Sequence, residues 1–177
     1  MNQRIMTVVF VAGVVLGTSG SVEPAVAQQA QEMGDWVYQA NVRVSPDRSG
    51  DMAYLRPEDT SGVDRSADPA LVLRCVDDRF EIVTMWGDPV GDGARPVTVR
   101  FDDGEPQASE WSVGTGGTTA FVPRGEEREA FAMRLLEARR VLVELRTESE
   151  VPLQMAFEPA SGVHRVAQRL PCFPQPG

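Results

Sequence analysis

Lysine is absent from the 177-residue sequence, histidine occurs once and cysteine twice. Without lysine there is no residue to complete a phosphate-cradling P-loop, so Gly114-Thr115-Gly116-Gly117-Thr118-Thr119 reads as a turn. A base composition rich in G and C explains the all-arginine basic set more simply than a recognition role does. The single histidine, His164, stands beside Arg165 on a short predicted helix, and no Gly-x-Ser-x-Gly elbow occurs. Nucleophilic catalysis therefore lacks its usual base, and His164 reads as a surface or half-buried helix residue. Zinc would need three or four Cys, His or carboxylate ligands at suitable spacing, which one histidine and two cysteines do not supply. The acidic loop tips at Asp88 and Asp92 and at Asp102 and Asp103 lack the alternating pattern of a calcium loop, so they read as solvated turns. With 26 acidic residues, some pair of carboxylates always looks possible and signals nothing about glycoside hydrolysis. No enzyme, cofactor or metal is expected.

No apolar run is long enough to span a bilayer, which takes about 20 residues. The longest, at 5–16, follows Arg4 and is broken by Gly17-Thr18-Ser19-Gly20. Ala25-Val26-Ala27 then offers small residues for signal peptidase, so 1–27 is expected to be a cleavable export signal. No lipobox cysteine follows the apolar run, which argues against a lipoprotein. Residues 28–34 read as a disordered lead-in, and 35–177 as a single domain of ordinary size. The expected location is periplasmic or secreted, with no stable membrane anchor after cleavage.

The formal net charge is −9 at pH 7. That charge repels phosphate backbones and anionic head-groups, so nucleic acid and lipid surfaces are poor partners. In an exported chain, Cys75 and Cys172 read as one disulfide. The alternatives are two buried thiols or a redox pair, and neither cysteine lies in a Cys-x-x-Cys setting. The bridge would close a loop of about 100 residues, for which chain entropy gives roughly 4–5 kcal/mol.

Strand periodicity dominates what is present. Strands are expected from 36 to 44 and from 52 to 56, then a polar surface loop over 57–69. Further strands follow at 70–76, 79–86, 96–101, 105–113 and 118–122. Within 79–86, Phe80, Ile82 and Thr84 share one face, and Val83 and Met85 the other. Asp102-Asp103-Gly104 marks a tight turn. The period changes to that of a helix at 126–140, where Glu126, Glu127 and Glu129 suit the positive end of the dipole. Strands at 140–146 and 151–157 precede a short helix at 163–170. The fold class expected is α+β, a mainly antiparallel sheet or compact β-sandwich with two helices and one disulfide.

Trp86, Trp111 and Phe121 fall on consecutive predicted strands, with Arg100 nearby. Core or rim packing is the ordinary reading of such tryptophans. The functional reading makes Trp86, Arg100 and Trp111 a binding face that looks outward, since tryptophan and arginine dominate interface hot spots. Several features recur in a recognisable order: Leu73-Arg74-Cys75, Met85-Trp86-Gly87, Val99-Arg100-Phe101-Asp102 with Trp111, and Thr119-Ala120-Phe121. After them come the helix at 131–136, a strand at 142–146, Met155-Ala156-Phe157 and Ser161-Gly162-Val163, leading to Leu170 and Cys172. Over roughly 71–173 this order resembles the type VI secretion-associated VasI family of small periplasmic accessory proteins. Before Leu71 the similarity is loose. The resemblance implies a non-enzymatic exported accessory domain that binds a cell-envelope or secretion-system protein. The alternative is a periplasmic module for a glycan or small ligand, in which the aromatics would stack on sugar rings.

Overall fold

The computed structural model describes residues 30–174. The expected export signal lies outside the described residues. Among them the chain forms β1 (Gln31–Met33), β2 (Trp36–Ser45), β3 (Arg48–Leu55), β4 (Asp59–Ser61), β5 (Ala70–Val76), β6 (Arg79–Met85) and β7 (Ala94–Phe101). β8 (Gln107–Val113), β9 (Thr119–Phe121), α1 (Glu126–Glu137), β10 (Val141–Arg146), β11 (Pro152–Phe157) and α2 (Val163–Arg169) follow. The strands make one antiparallel sheet in the order β1-β2-β3-β5-β6-β9-β8-β7-β10-β11-β4. The expected α+β class, with two helices and one disulfide, is what the molecule adopts.

The sheet bends back on itself. Trp36, Leu71 and Ile82 from its first half and Val97, Val143 and Met155 from its second belong to one buried cluster. The short β9 bridges the halves, pairing with Val83–Met85 of β6 on one side and with Ser112 and Val113 of β8 on the other. The rest of β6 and β8, at 79–82 and 107–111, has no partner in β9, and α1 bonds to both segments. Phe131, Ala132 and Leu135 face the core from α1. Arg128 donates to the carbonyls of Phe80 at 2.7 Å and Val122 at 2.8 Å, satisfying acceptors that a strand would otherwise pair. Glu127 meets the Ser109 hydroxyl and Arg134 meets Gln107 on the β8 side. Arg134 also lies over the Phe101 ring, 4.1 Å from its centroid.

Three local expectations are corrected. Residues 31–33, read as part of a disordered lead-in, form β1. Met33 is buried, Gly34 turns the chain at φ +73°, and the Asp35 amide donates to Ser161 O at 3.0 Å. The polar loop expected over 57–69 contains the edge strand β4 and a 3₁₀ turn at Arg65–Ala67. β4 pairs with β11 through its main chain, so its Asp-Thr-Ser sequence carries no alternation to read. The long helix ends at Glu137, not near residue 140. Ala138 is extended, and one carboxylate oxygen of Asp102 accepts the amides of both Arg139 and Arg140 at 2.9 Å. Those amides are thereby drawn into the β7–β8 turn, where Asp102 has φ +49°.

The bridge forms as expected, joining Cys75 on β5 to Cys172 after α2, with 5.7 Å between the Cα atoms. It pins the segment following α2 against the sheet, and Phe173 packs edge-on to Phe80 with 5.0 Å between ring centroids.

Candidate functional site

The three residues expected to make a binding face do not make one. Trp86 and Trp111 are both 0% exposed. The Trp86 indole donates to the Thr84 hydroxyl at 3.0 Å, and Thr84 is itself buried and donates to Ala120 O. The Trp111 indole donates to the Ser109 hydroxyl at 3.0 Å, and its ring packs edge-on to Phe131 at 6.1 Å. Arg100 is exposed on β7, opposite Leu142 of β10, on the face turned away from the core. The tryptophans point inward and the arginine outward. Neither tryptophan is available to stack on a sugar ring.

On the side of the sheet away from the main core lies a different set, whose central members Ala70, Val72 and Val83 are 4%, 2% and 2% exposed. The outer face of the first half-sheet carries a second, smaller apolar cluster of Ala70, Val72 and Val83, packed with Met52, Tyr54 and Phe121. Register explains the set. Tyr54 lies opposite Val72, Val72 opposite Val83, and Val83 opposite Phe121, so one apolar row crosses β3, β5, β6 and β9. Ala70 pairs with Met85, which at 37% is one of two large exposed hydrophobic residues among the described residues. Because strand side chains alternate, this face is distinct from the inward set of Ala53, Leu71, Leu73 and Ile82.

Polar groups rim the row. On one side the Arg74 guanidinium holds Glu81 at 2.6 Å and lies 5.3 Å from the centre of the Phe121 ring. At the other end, Arg56 and Asp68 pair at 3.0 Å. Between them is a depression of about 280 Å³ lined by Gln39, Met52, Tyr54, Arg56, Asp68, Ala70 and Met85. An apolar centre with a charged rim is the anatomy of a protein contact surface. The sequence does hold a signal for it. Apart from Arg74, Glu81 and Thr84, residues 70–76 and 80–85 are apolar on both faces, whereas a strand of an antiparallel sheet commonly leaves one face to water.

Other polar clusters are accounted for within the fold. Asp88 accepts the Asp64 amide at 3.0 Å, and Asp64 caps the 3₁₀ turn through Ser66. Those hydrogen bonds from Ser66 hold the Asp64 carboxyl below the usual carboxylate range. Among the described residues no group of three or more His, Cys, Asp or Glu is placed to hold a metal ion. His164 is exposed on α2. Among the described residues no helix is long and apolar enough to cross a membrane.

No protein-family model matches the chain, and no curated protein does. Among solved structures, the crystal structure of invasion associated protein B from Bartonella henselae matches at 13% identity. It covers 80% of this chain and 94% of that one, with a TM-score of 0.53. The likeness is one of fold, a distant kinship of architecture that spans nearly the whole of the neighbour.

Proposed function

We propose that this chain is a non-enzymatic exported accessory domain that binds a protein of the cell envelope through the outer face of β3, β5, β6 and β9. The observation that carries the reading is exposed Met85 with half-buried Met52, Tyr54 and Phe121, seated over a buried base of Val72 and Val83 on the side of the sheet away from the core. The disulfide supports an oxidising setting, and the export-type N-terminus points the same way. The order of features that resembles the VasI family names a type VI secretion apparatus as the setting. The structural neighbour's description as invasion associated belongs to that protein and agrees with an accessory role. With a net charge of −9, this chain favours a partner surface that is apolar at its centre and basic at its rim.

The test is affinity capture from envelope extracts with the wild type, Met85→Asp and Tyr54→Asp, each checked for a native circular dichroism melt. The wild type should recover one reproducible envelope partner, which both variants lose and which Arg100→Ala retains. Recovery undiminished in both variants, or no reproducible partner, overturns the reading. A partner from the secretion apparatus supports the VasI setting, and an unrelated envelope protein removes it.

A further inference from the structure

A cavity of about 450 Å³ lies against the disulfide and beside the entry to α1, and it meets the outer apolar face only at the rim residue Glu81. Three arginines line it: Arg79 at the start of β6, Arg124 just before α1, and Arg128 in the first turns of α1. In a chain with 26 acidic residues such a convergence stands out electrostatically, and its local balance is positive. Two acids share the wall with the three arginines, Glu129 and Glu81, and Glu81 also holds Arg74 at 2.6 Å, so the cations outnumber the anions. Arg79 and Arg124 form no ion pair among the described residues. Arg128 is fixed by its bonds to the carbonyls of Phe80 and Val122, neutral acceptors that orient its charge without cancelling it. Burial lowers its pKa from the ordinary guanidinium value, Glu81 opposes that shift, and the nearby positive charge of Arg124 adds to it. Phe80 and Cys172 form the apolar part of the wall, while Arg79 and Arg124 are exposed and free to turn toward a ligand.

We propose that this cavity binds an oxyanion, a carboxylate or phosphate group, held by Arg79 and Arg124 with Arg128 as its fixed positive wall. The planar guanidinium fork suits both anions, which offer paired oxygens at matching spacing. The site is independent of the outer-face reading, and either can fail alone.

The experiment is an amide NMR titration of the oxidised protein with sodium phosphate and, separately, sodium succinate, against sodium chloride at matched ionic strength. Saturable shifts should centre on residues 79–81, 124–129 and 172. Arg124→Gln should weaken binding by about tenfold, the scale of one lost charge-assisted contact. Arg79→Gln should weaken it as well, and Arg165→Gln, on the exposed side of α2, should leave it unchanged. Dispersed spectra of each variant verify folding. Saturation by only one of the two anions upholds the site and assigns its class. Shifts that follow chloride without saturating, or equal affinity in the wild type and both site variants, overturn the proposal.

Discussion

At the scale of single residues, direction matters more than type. Trp86 and Trp111 carry the composition of a hot spot, yet each indole points into the core and finds a hydroxyl there. A tryptophan's identity states its size and its need for one acceptor; the parity of its position in the strand decides which side it serves. Tyr38 makes a related point. Its ring is buried while its hydroxyl donates to Asp51 at 2.8 Å, and Asp51 also accepts the Asn41 amide. Burial, and then the bond to Asp51, raise its pKa above the ordinary 10.0. A phenol whose folded pKa is raised adds stability below its unfolded value and loses that stability as pH climbs through the folded one. Tyr38→Phe should therefore cost roughly 1.5–3 kcal/mol at neutral pH, as a hydrogen bond to a charged group does. Urea melts of the two proteins should converge above about pH 10, near the reference for tyrosine. A difference that persists unchanged into alkali would show that the hydroxyl's proton is not involved.

At the scale of elements, what could be read in the sequence depends on whether one face meets water. The alternation at 96–101 and 141–146 survives in β7 and β10, whose outward residues are exposed or half-buried. In β5 and β6 the outward set mixes apolar Ala70, Val72, Val76, Val83 and Met85 with Arg74, Arg79 and Glu81, so strands are legible but the outer patch is not. A run such as Ala70-Leu71-Val72-Leu73 cannot say which of its members line the core. β1 and β4 are hidden for another reason. Each has three residues, and each is held by main-chain pairing to a longer neighbour, an effect that leaves little mark on side-chain pattern.

The junction of β1 with α2 yields an element-scale prediction. Gly162 sits at φ +112°, and a Cβ built there would stand 1.6 Å from Met33 O. Gly34 approaches the same loop, with a Cβ position 2.2 Å from Ser161 O. Glycine is needed at this crossing for space as well as for backbone angle. Gly162→Ala should destabilise the domain by roughly 1–3 kcal/mol, the range for forced strain and overpacking. Hydrogen exchange should show the loss concentrated in the amides of β1 and the start of α2. Wild-type protection of the Asp35 amide in the variant would count against the crossing as a constraint.

At the scale of the whole molecule, one covalent link spans most of the architecture. Between Cys75 and Cys172, 97 positions apart, lie β6 to β11 together with both helices. Reduction should lower stability by up to about 4–5 kcal/mol, the chain-entropy figure for a loop near 100 residues. Denaturant midpoints with and without reductant measure it directly. A midpoint unchanged by verified reduction would mean that packing of Phe173 and α2 holds this end without the bond. The two cavities differ in the same comparison, since the arginine-lined one includes Cys172 and the outer apolar face does not.

The same bond also sets a mechanical property. Force applied to the chain on either side of the two cysteines passes from Cys75 to Cys172 through sulfur and bypasses the 97-residue separation between them. At about 3.3–3.6 Å per extended residue, roughly 320–350 Å of slack stays locked away until the bond is reduced. Only β1 to β4 and the outer part of β5 can be peeled by a pull from the N-terminal side. A domain tethered by its ends would thus yield in a short first step and then hold, a latch whose release is chemical and not thermal.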